Sequence, residues 1–495
     1  MVPGRGAAVI NETMTPNKSP TRLERRQTKI ICTVGPASRS PEMLEGLISA
    51  GMDVARLHFS YDSHPRHAEN IERIRSAAER AGRRVGILQD LSGSKIRMLS
   101  FSDDWVTLKE GTEFTLTSRK IQGDASGVTI TVPELIAVVE PGDTVLLNDG
   151  ALKLRAISKN DTDLRCEVVE GGKIKAQQSV HVPDKAPDVR VPTEKDRDDV
   201  SFALRQGLDW IALSYATTGS EVEALREFIR QQGADTPIVA KIERRAALDD
   251  LDDIIHAADA VMVARGDLGM EIPIEEIALV QKDIIRRANA AGKPVITATE
   301  MLTSMMEDVS PSRADVADIT NAILDGSDAV MLSGETSVGK FPVEATQVAA
   351  KVALATDTQW PESLPREFRC PDHRSEPAVA VAHGACQTAC ALDAKLILCC
   401  TRHGQTARLI SQQRPRIPIL SASSDERTLR RTTLLRGVQP LLVPHAPDLD
   451  SLLHSARQAV REAKFVPAGG RIVIVARDAN EAGHGTTDVI RVEIL

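Results

Sequence analysis

The chain has 495 residues, a formal net charge of −8, 42% hydrophobic residues and 26% charged ones. That is the balance of a soluble globular protein with room for two or three domains. Aromatics make up only 3%, which argues against a stacking platform for single-stranded nucleic acid, and the acidic balance argues against a broad phosphate-backbone footprint. No apolar stretch reaches the roughly 18 residues that a membrane span needs.

The first 26 residues contain Pro3, Gly4, Gly6, Pro16, Pro20 and several arginines, without the apolar centre of a signal peptide. They read as a flexible tail. From residue 28 short apolar strands alternate with amphipathic helices. The strands are "TKIICTVG" (28–35), "VARLHFS" (54–60), "VGILQDL" (85–91), "WIALSY" (210–215), "PIVAKIE" (237–243), "AVMVARG" (260–266), "PVITATE" (294–300) and "AVMLSGE" (329–335). Between them, "SPEMLEGLISAG" and "SRADVADITNAILDGS" begin with a serine cap and carry an apolar stripe. Eight strand–helix units predict a parallel sheet closed into a (β/α)₈ TIM barrel, with an open doubly wound sheet as the alternative.

One long interval breaks the rhythm, between the third and fourth strands. "DWVTLKEGTEFTLTS", "GVTITV", "GDTVLLNDGALKLRAIS" and "DLRCEVVEGGKI" are short alternating runs with Gly and Asp turns. They predict a small antiparallel all-β lid at 98–183, inserted into a catalytic barrel formed by 27–97 and 184–356. After a polar, proline-containing link, a second α/β pattern fills 357–495 as a C-terminal regulatory or oligomerisation domain.

The seven cysteines, Cys32, Cys166, Cys370, Cys386, Cys390, Cys399 and Cys400, form no paired CxxC arrangement. They fit a reduced, cytoplasmic setting. Cys386 and Cys390, four apart on an expected helix, read as small buried hydrophobes rather than metal ligands.

In a (β/α)₈ barrel the active site lies at the C-terminal ends of the strands. Here the second strand carries Arg56, His58 and Ser60, and the third ends in Asp90. The fifth ends in Lys241 and Glu243, and the sixth in Arg265, Gly266 and Asp267. The seventh ends in Thr297, Thr299 and Glu300, and the eighth in Ser333, Gly334 and Glu335. One charged end is explained by capping; five or six converging ends point to a site. Glu243 and Asp267, on adjacent strands, form a hard oxygen pair suited to Mg²⁺ or Mn²⁺. Lys241 and Arg56 add fixed positive charge, Gly266 permits close backbone approach, and Thr299 is placed to orient a water or a proton. A cation, an ammonium and a guanidinium at one place suit phosphoryl transfer. An interior salt bridge between Lys241 and Glu243 is the plainer alternative.

"KIICTVGPASRS", "GMDVARLHFS", "IVAKIE", "VMVARGDLGMEIP", "GKPVITATEML" and "SRADVADITNAILDGSDAVMLSGETSVGKFPVEA" closely resemble the pyruvate kinase family, in order, from about residue 27 to the end. The resemblance implies a glycolytic phosphotransferase that moves the phosphoryl group of phosphoenolpyruvate to ADP, giving pyruvate and ATP. It implies that Arg56 binds the phosphate and Lys241 stabilises the phosphoryl in flight. Glu243 and Asp267 would hold Mg²⁺, and Gly266, Asp267 and Thr299 would contact phosphoenolpyruvate. Arg97 matches a nucleotide-phosphate arginine, and a homotetramer is implied.

The chain departs from the family at several places. His58 stands where Asn is usual and Tyr61 where His is usual, beside the nucleotide and a monovalent-cation site. Leu91 and Lys95 replace the Thr and Glu of potassium-dependent members. With Ser60 and Asp90 nearby, the Lys95 ammonium is expected to stand in for K⁺, making the enzyme potassium-independent. Gln178 replaces a lid lysine, and "HVPD" replaces "NLPG", which bears on nucleotide affinity and choice. In the C-terminal domain Thr401, Gly404 and Thr406 of "TRHGQT", with "AGHGTT" at 482–487, match loops that bind phosphorylated effectors in the family, although His403 replaces the usual serine. Either an anion nest or an ordinary helix-capping turn explains them. Two other readings compete with the kinase: a metal-dependent pyruvate or oxaloacetate lyase, and a catalytically weakened paralogue with a binding or regulatory role.

Overall fold

A computed structural model describes residues 26–183, 185, 189–359, 377–446, 448–477 and 487–495. The N-terminal tail up to residue 25 and most of the link after the barrel lie outside the described residues. Eight parallel strands close into a barrel: Lys29–Thr33, Val54–His58, Gly86–Asp90, Trp210–Leu213, Ile238–Ile242, Ala260–Ala264, Val295–Ala298 and Ala329–Leu332. They follow one another around the barrel in chain order, and the first pairs with the eighth to complete it.

All but one residue of the eight strands is buried, the pattern of a sheet covered on both faces. Alternate residues turn inward, so Ile31, Leu88, Val239, Met262, Ile296 and Met331 fill the barrel. The others pack outward against the helices. The helix Pro41–Ala50 starts where the Ser40 side chain accepts a hydrogen bond from Met43 N, and Arg313–Asp325 starts with a capping box from Ser312 and Asp315.

Between the third and fourth barrel strands lies a six-stranded sheet, with strands from Glu113–Thr117 to Val180–His181, beside a two-stranded one of Val106–Leu108 and Gly172–Ile174. Two details differ from the sequence expectation of a purely antiparallel all-β insert. Glu134–Val138 forms a short helix, and Glu113–Thr117 pairs in parallel with Gly127–Thr129. Both are too short to leave a periodic signal.

The C-terminal part has a five-stranded sheet ordered Val438–Leu442, Ile419–Ser423, Leu396–Cys400, Arg471–Ala476 and Val489–Ile494, the last strand antiparallel. It seals the end of the barrel opposite the site. Leu434 joins the barrel's inner core. Arg430 Nε lies 2.9 Å from Asp209 Oδ1, whose other oxygen accepts from Ile87 N. Lys29 Nζ donates to Val438 O at 2.7 Å. No helix among the described residues is long and apolar enough to cross a membrane.

Candidate active site

The C-terminal ends of the barrel strands surround a cavity lined by Arg56, His58, Ser60, Lys95, Tyr215, Lys241, Glu243, Asp267 and Thr299 among others. Most of the charged residues expected from the strand ends therefore share one chamber.

Its organising group is Asp90, wholly buried at the end of the third strand. One oxygen accepts from Arg56 Nε at 2.6 Å, and the other from Lys241 Nζ at 3.0 Å and Ser214 Oγ at 3.3 Å. Burial opposes ionisation of this carboxyl, but Lys241 and Arg56 outweigh it and hold it well below the ordinary aspartate range. One carboxylate thus aims a guanidinium and an ammonium into the same space. Lys241 is also held 2.8 Å from Glu243 Oε1 and 2.7 Å from Ser214 Oγ. Burial works against its charge, yet Asp90 and Glu243 raise its pKa above the ordinary lysine value. The salt bridge foreseen as the plainer alternative is present, and it lies inside the cavity.

Glu243 and Asp267 face each other across the fifth and sixth strands. Glu243 Oε2 accepts from Tyr215 N at 2.8 Å. Glu243 Oε1 is buried and has no hydrogen-bond donor besides its ionic contact with Lys241. Asp267 Oδ1 takes a hydrogen bond from Tyr215 Oη at 2.9 Å and one from Lys95 Nζ at 2.7 Å. Two hard carboxylates, one with a buried oxygen whose sole neighbour of opposite charge among the described residues is the Lys241 ammonium, fit a small divalent cation such as Mg²⁺ or Mn²⁺ that keeps its remaining positions for water and substrate oxygen. No group of three or more His, Cys, Asp or Glu among the described residues is placed to hold a metal ion together, so the carboxylate pair is the donor set on offer.

Lys95 is paired differently from the sequence expectation. Its ionic partners are Asp267 and, at 3.6 Å, the lid residue Asp149. Asp90 is engaged instead by Arg56, Lys241 and Ser214, while Ser60 shares only the cavity lining with Lys95. A strand-end register shows which residues reach the mouth, but not how a lysine with four side-chain carbons will turn once there.

Thr299 has a left-handed backbone, φ 65°, and so does Glu300 at φ 58°. For a β-branched residue this is strain of about 1–3 kcal/mol, which persists where the surroundings enforce it. Arg265 enforces it: its guanidinium donates to Thr299 O at 2.5 Å and ion-pairs with Asp318 at 2.7 Å. The Thr299 hydroxyl accepts from Gly266 N at 2.8 Å. Arg265 is thus a brace turned away from the cavity. Glu335, another charged strand end, caps backbone N–H groups of Leu302 and Ser333. For these two the capping explanation holds.

The three residues expected at the nucleotide meet at the lid edge. Arg97 lies 5.0 Å over the Tyr61 ring, and His58 stands 5.1 Å from the same ring. Burial and the neighbouring Arg56 push the His58 pKa well down, so its imidazole is neutral. Arg97 NH1 donates to Gln177 O in the lid at 2.7 Å. The Gln178 side chain turns back to accept from Lys175 N. In the C-terminal domain Thr401 Oγ1 accepts from Gly404 N, Gly404 takes a left-handed φ of 84°, and Thr406 Oγ1 pairs with Thr487 Oγ1 at 2.9 Å. Thr401 thus closes a turn onto Gly404, which precedes the helix Gln405–Gln412 and gives it no side-chain cap; residues 482–486 of the second loop lie outside the described residues.

The strand-end reading missed Ser214 and Tyr215, which close the fourth strand. The signal was present: a polar pair at the same height as Lys241 and Asp267, with Tyr215 one of only two tyrosines in the chain. Burial, with Asp267 and Glu243 beside it, pushes the Tyr215 phenol well above its ordinary pKa, so it stays a donor.

A parallel barrel whose mouth combines a clamped lysine and arginine with a carboxylate pair defines a (β/α)₈ phosphotransferase. Comparison with known proteins gives the family. Residues 25–346 match "Pyruvate kinase, barrel domain" and residues 379–493 match "Pyruvate kinase, alpha/beta domain". The pyruvate kinase of Geobacillus stearothermophilus is 39% identical over 474 residues, 95% of this chain and 81% of that protein. The pyruvate kinase of Thermococcus litoralis is 41% identical over 429 residues, 84% of this chain and 89% of that one. The crystal structure of a pyruvate kinase from Cryptosporidium parvum superposes with a TM-score of 0.84 at 33% identity, covering 95% of this chain and 96% of that chain. The chain belongs to the pyruvate kinase family.

Proposed function

We infer that the chain transfers the phosphoryl group of phosphoenolpyruvate to ADP, producing pyruvate and ATP. The observation that carries this reading is the shared cavity: Lys241 and Arg56, both oriented by Asp90, beside Glu243 and Asp267. Arg56 grips the phosphate of phosphoenolpyruvate. Lys241 follows the phosphoryl group as its bond to the enol oxygen breaks and a new bond forms to a terminal oxygen of ADP. The electron pair returns to the enolate, whose methylene carbon then takes a proton. Thr299 sits beside that carbon, and Gly266 and Asp267 flank the substrate. Glu243 and Asp267 would hold a divalent ion, Mg²⁺ or Mn²⁺, which would supply charge neutralisation for the substrate's oxygens.

His58, Tyr61 and Arg97 take the nucleotide, with the exposed Tyr61 ring presenting a flat face. Lys95 supplies the fixed positive charge that a K⁺ ion brings elsewhere in the family, so turnover needs no potassium. The catalytic barrel comprises 27–97 and 184–356, the lid 98–183, and the C-terminal regulatory and oligomerisation domain 357–495. A cytoplasmic homotetramer is the assembly that fits the family, with the loop of Thr401, Gly404 and Thr406 as its place for a phosphorylated effector. The lyase and weakened-paralogue readings are not favoured. Enolate chemistry alone needs no clamped Lys241–Arg56 pair, and the departures at His58, Tyr61 and Gln178 leave the Asp90-centred cluster whole. The test is pyruvate formation from phosphoenolpyruvate and ADP with Mg²⁺, and its loss in Glu243→Gln and Asp267→Asn.

A further inference from the structure

We propose that Tyr215 is the positioning residue of the divalent-ion site, fixing Glu243 and Asp267 at once through its backbone N–H and its phenol. This rests on the reading of those two carboxylates as the ion's ligands. The contacts are 2.8 Å from Tyr215 N to Glu243 Oε2 and 2.9 Å from Tyr215 Oη to Asp267 Oδ1. Tyr215 therefore holds each carboxylate by one oxygen, and the other Glu243 oxygen, Oε1, faces the Lys241 ammonium at 2.8 Å. No other residue in the cavity hydrogen-bonds to both.

The fold makes this bridge rigid. Tyr215 follows the fourth strand directly and has a left-handed φ of 61°, an uncommon conformation for a bulky residue. That turn sends the N–H toward the fifth strand while the ring spans toward the end of the sixth. The guanidinium of Arg244 covers the ring at 4.9 Å. Gly93 approaches so closely that a Cβ there would meet the ring at 2.9 Å. The ring has one place to be, so its hydroxyl fixes where Asp267 Oδ1 lies.

Lys95 donates to the same Asp267 oxygen, and unlike the phenol it brings a positive charge. The two neighbours therefore act with opposite sign. The phenol orients the carboxylate and favours cation binding, whereas the ammonium competes electrostatically with the cation. Hydrogen bonds that orient a ligand typically contribute about 10–100-fold in metal affinity.

The experiment is a Mn²⁺ titration of the full-length enzyme without substrate, with free Mn²⁺ read by electron paramagnetic resonance, for wild type, Tyr215→Phe and Lys95→Met. Tyr215→Phe removes one oxygen and keeps the ring and the backbone N–H. Its expected result is about tenfold weaker binding, with a matching rise in the Mg²⁺ concentration for half-maximal turnover and a smaller change in kcat. Lys95→Met is expected to bind Mn²⁺ more tightly than wild type. Tyr215→Phe binding Mn²⁺ as tightly as wild type overturns the proposal, and so does weakening in both variants, the mark of general loosening. Wild-type binding that is unchanged by Glu243→Gln removes the underlying site assignment, and the role of Tyr215 falls with it.

Discussion

Lys241 Nζ lies 3.0 Å from Asp90 Oδ1, and the pair is sealed inside the barrel mouth. Because Asp90 also holds Arg56 by its other oxygen, the two cations proposed to meet the substrate's phosphate share one anchor. Glu243 stands 2.8 Å from the same ammonium, so Lys241 balances two buried carboxylates. In the proposed mechanism, catalytic charge and structural charge are the same charge.

Lys241→Met therefore loses on both counts. Turnover is expected to fall by about 10²–10³ or more, as when a group stabilising transition-state charge is removed. Stability is expected to fall by about 3–5 kcal/mol, because Asp90 and Glu243 lose their common buried counter-ion. A coupled pyruvate assay and urea unfolding measure the two effects. Near-normal turnover removes Lys241 from the role assigned to it.

Asp90→Asn keeps the shape of the anchor and removes its charge. Its effect on stability depends on pH with a defined sign. The folded pKa of Asp90 is depressed below the unfolded value of about 3.9. Its stabilising contribution is therefore fully present above that value and is lost as pH falls toward the folded one. The stability gap between wild type and variant is expected to be full at pH 7 and to shrink below about pH 4. Urea midpoints across that range give the comparison, and a gap that widens in acid contradicts the assignment.

Lys95→Glu places a carboxylate against Asp267 and Asp149, where an ammonium now sits. The variant is expected to need K⁺ for turnover, while the wild-type enzyme turns over without it. Equal activity of Lys95→Glu with and without K⁺ shows that the ammonium is no substitute for the ion.

At the opposite end of the barrel, Arg430→Met strands the buried Asp209. A stability loss of about 3–5 kcal/mol is expected at pH 7. Burial already raises the Asp209 pKa, so the folded state holds a proton there more tightly than the unfolded chain. The penalty should ease as pH falls and Asp209 is protonated. Thermal unfolding of the variant at pH 7 and pH 5 checks both statements.

The barrel was legible because its strands are short apolar runs that stop at polar residues, and a period of two shows which of those residues turn inward. Arg56, Lys241, Glu243, Asp267 and Thr299 were found in this way, and the structure brings them into one cavity. Composition and spacing do not show partners. Arg265 and Glu335 read as site charges and turned out to be a brace and a cap, because Asp318 and the Leu302 N–H that meet them lie 53 and 33 residues away in sequence. Lys95 reads as a neighbour of Asp90 and instead reaches Asp267. Ser214 and Tyr215 are a polar pair in sequence, but the positive φ of Tyr215 and the two carboxylates it contacts show its role in the structure.

The central claim is phosphoryl transfer from phosphoenolpyruvate to ADP, and a lactate dehydrogenase-coupled assay of pyruvate with Mg²⁺ tests it most directly. The account predicts turnover by the wild-type chain and its collapse in Glu243→Gln and Lys241→Met. No pyruvate from folded wild-type protein, with ADP and with other nucleoside diphosphates, would contradict it.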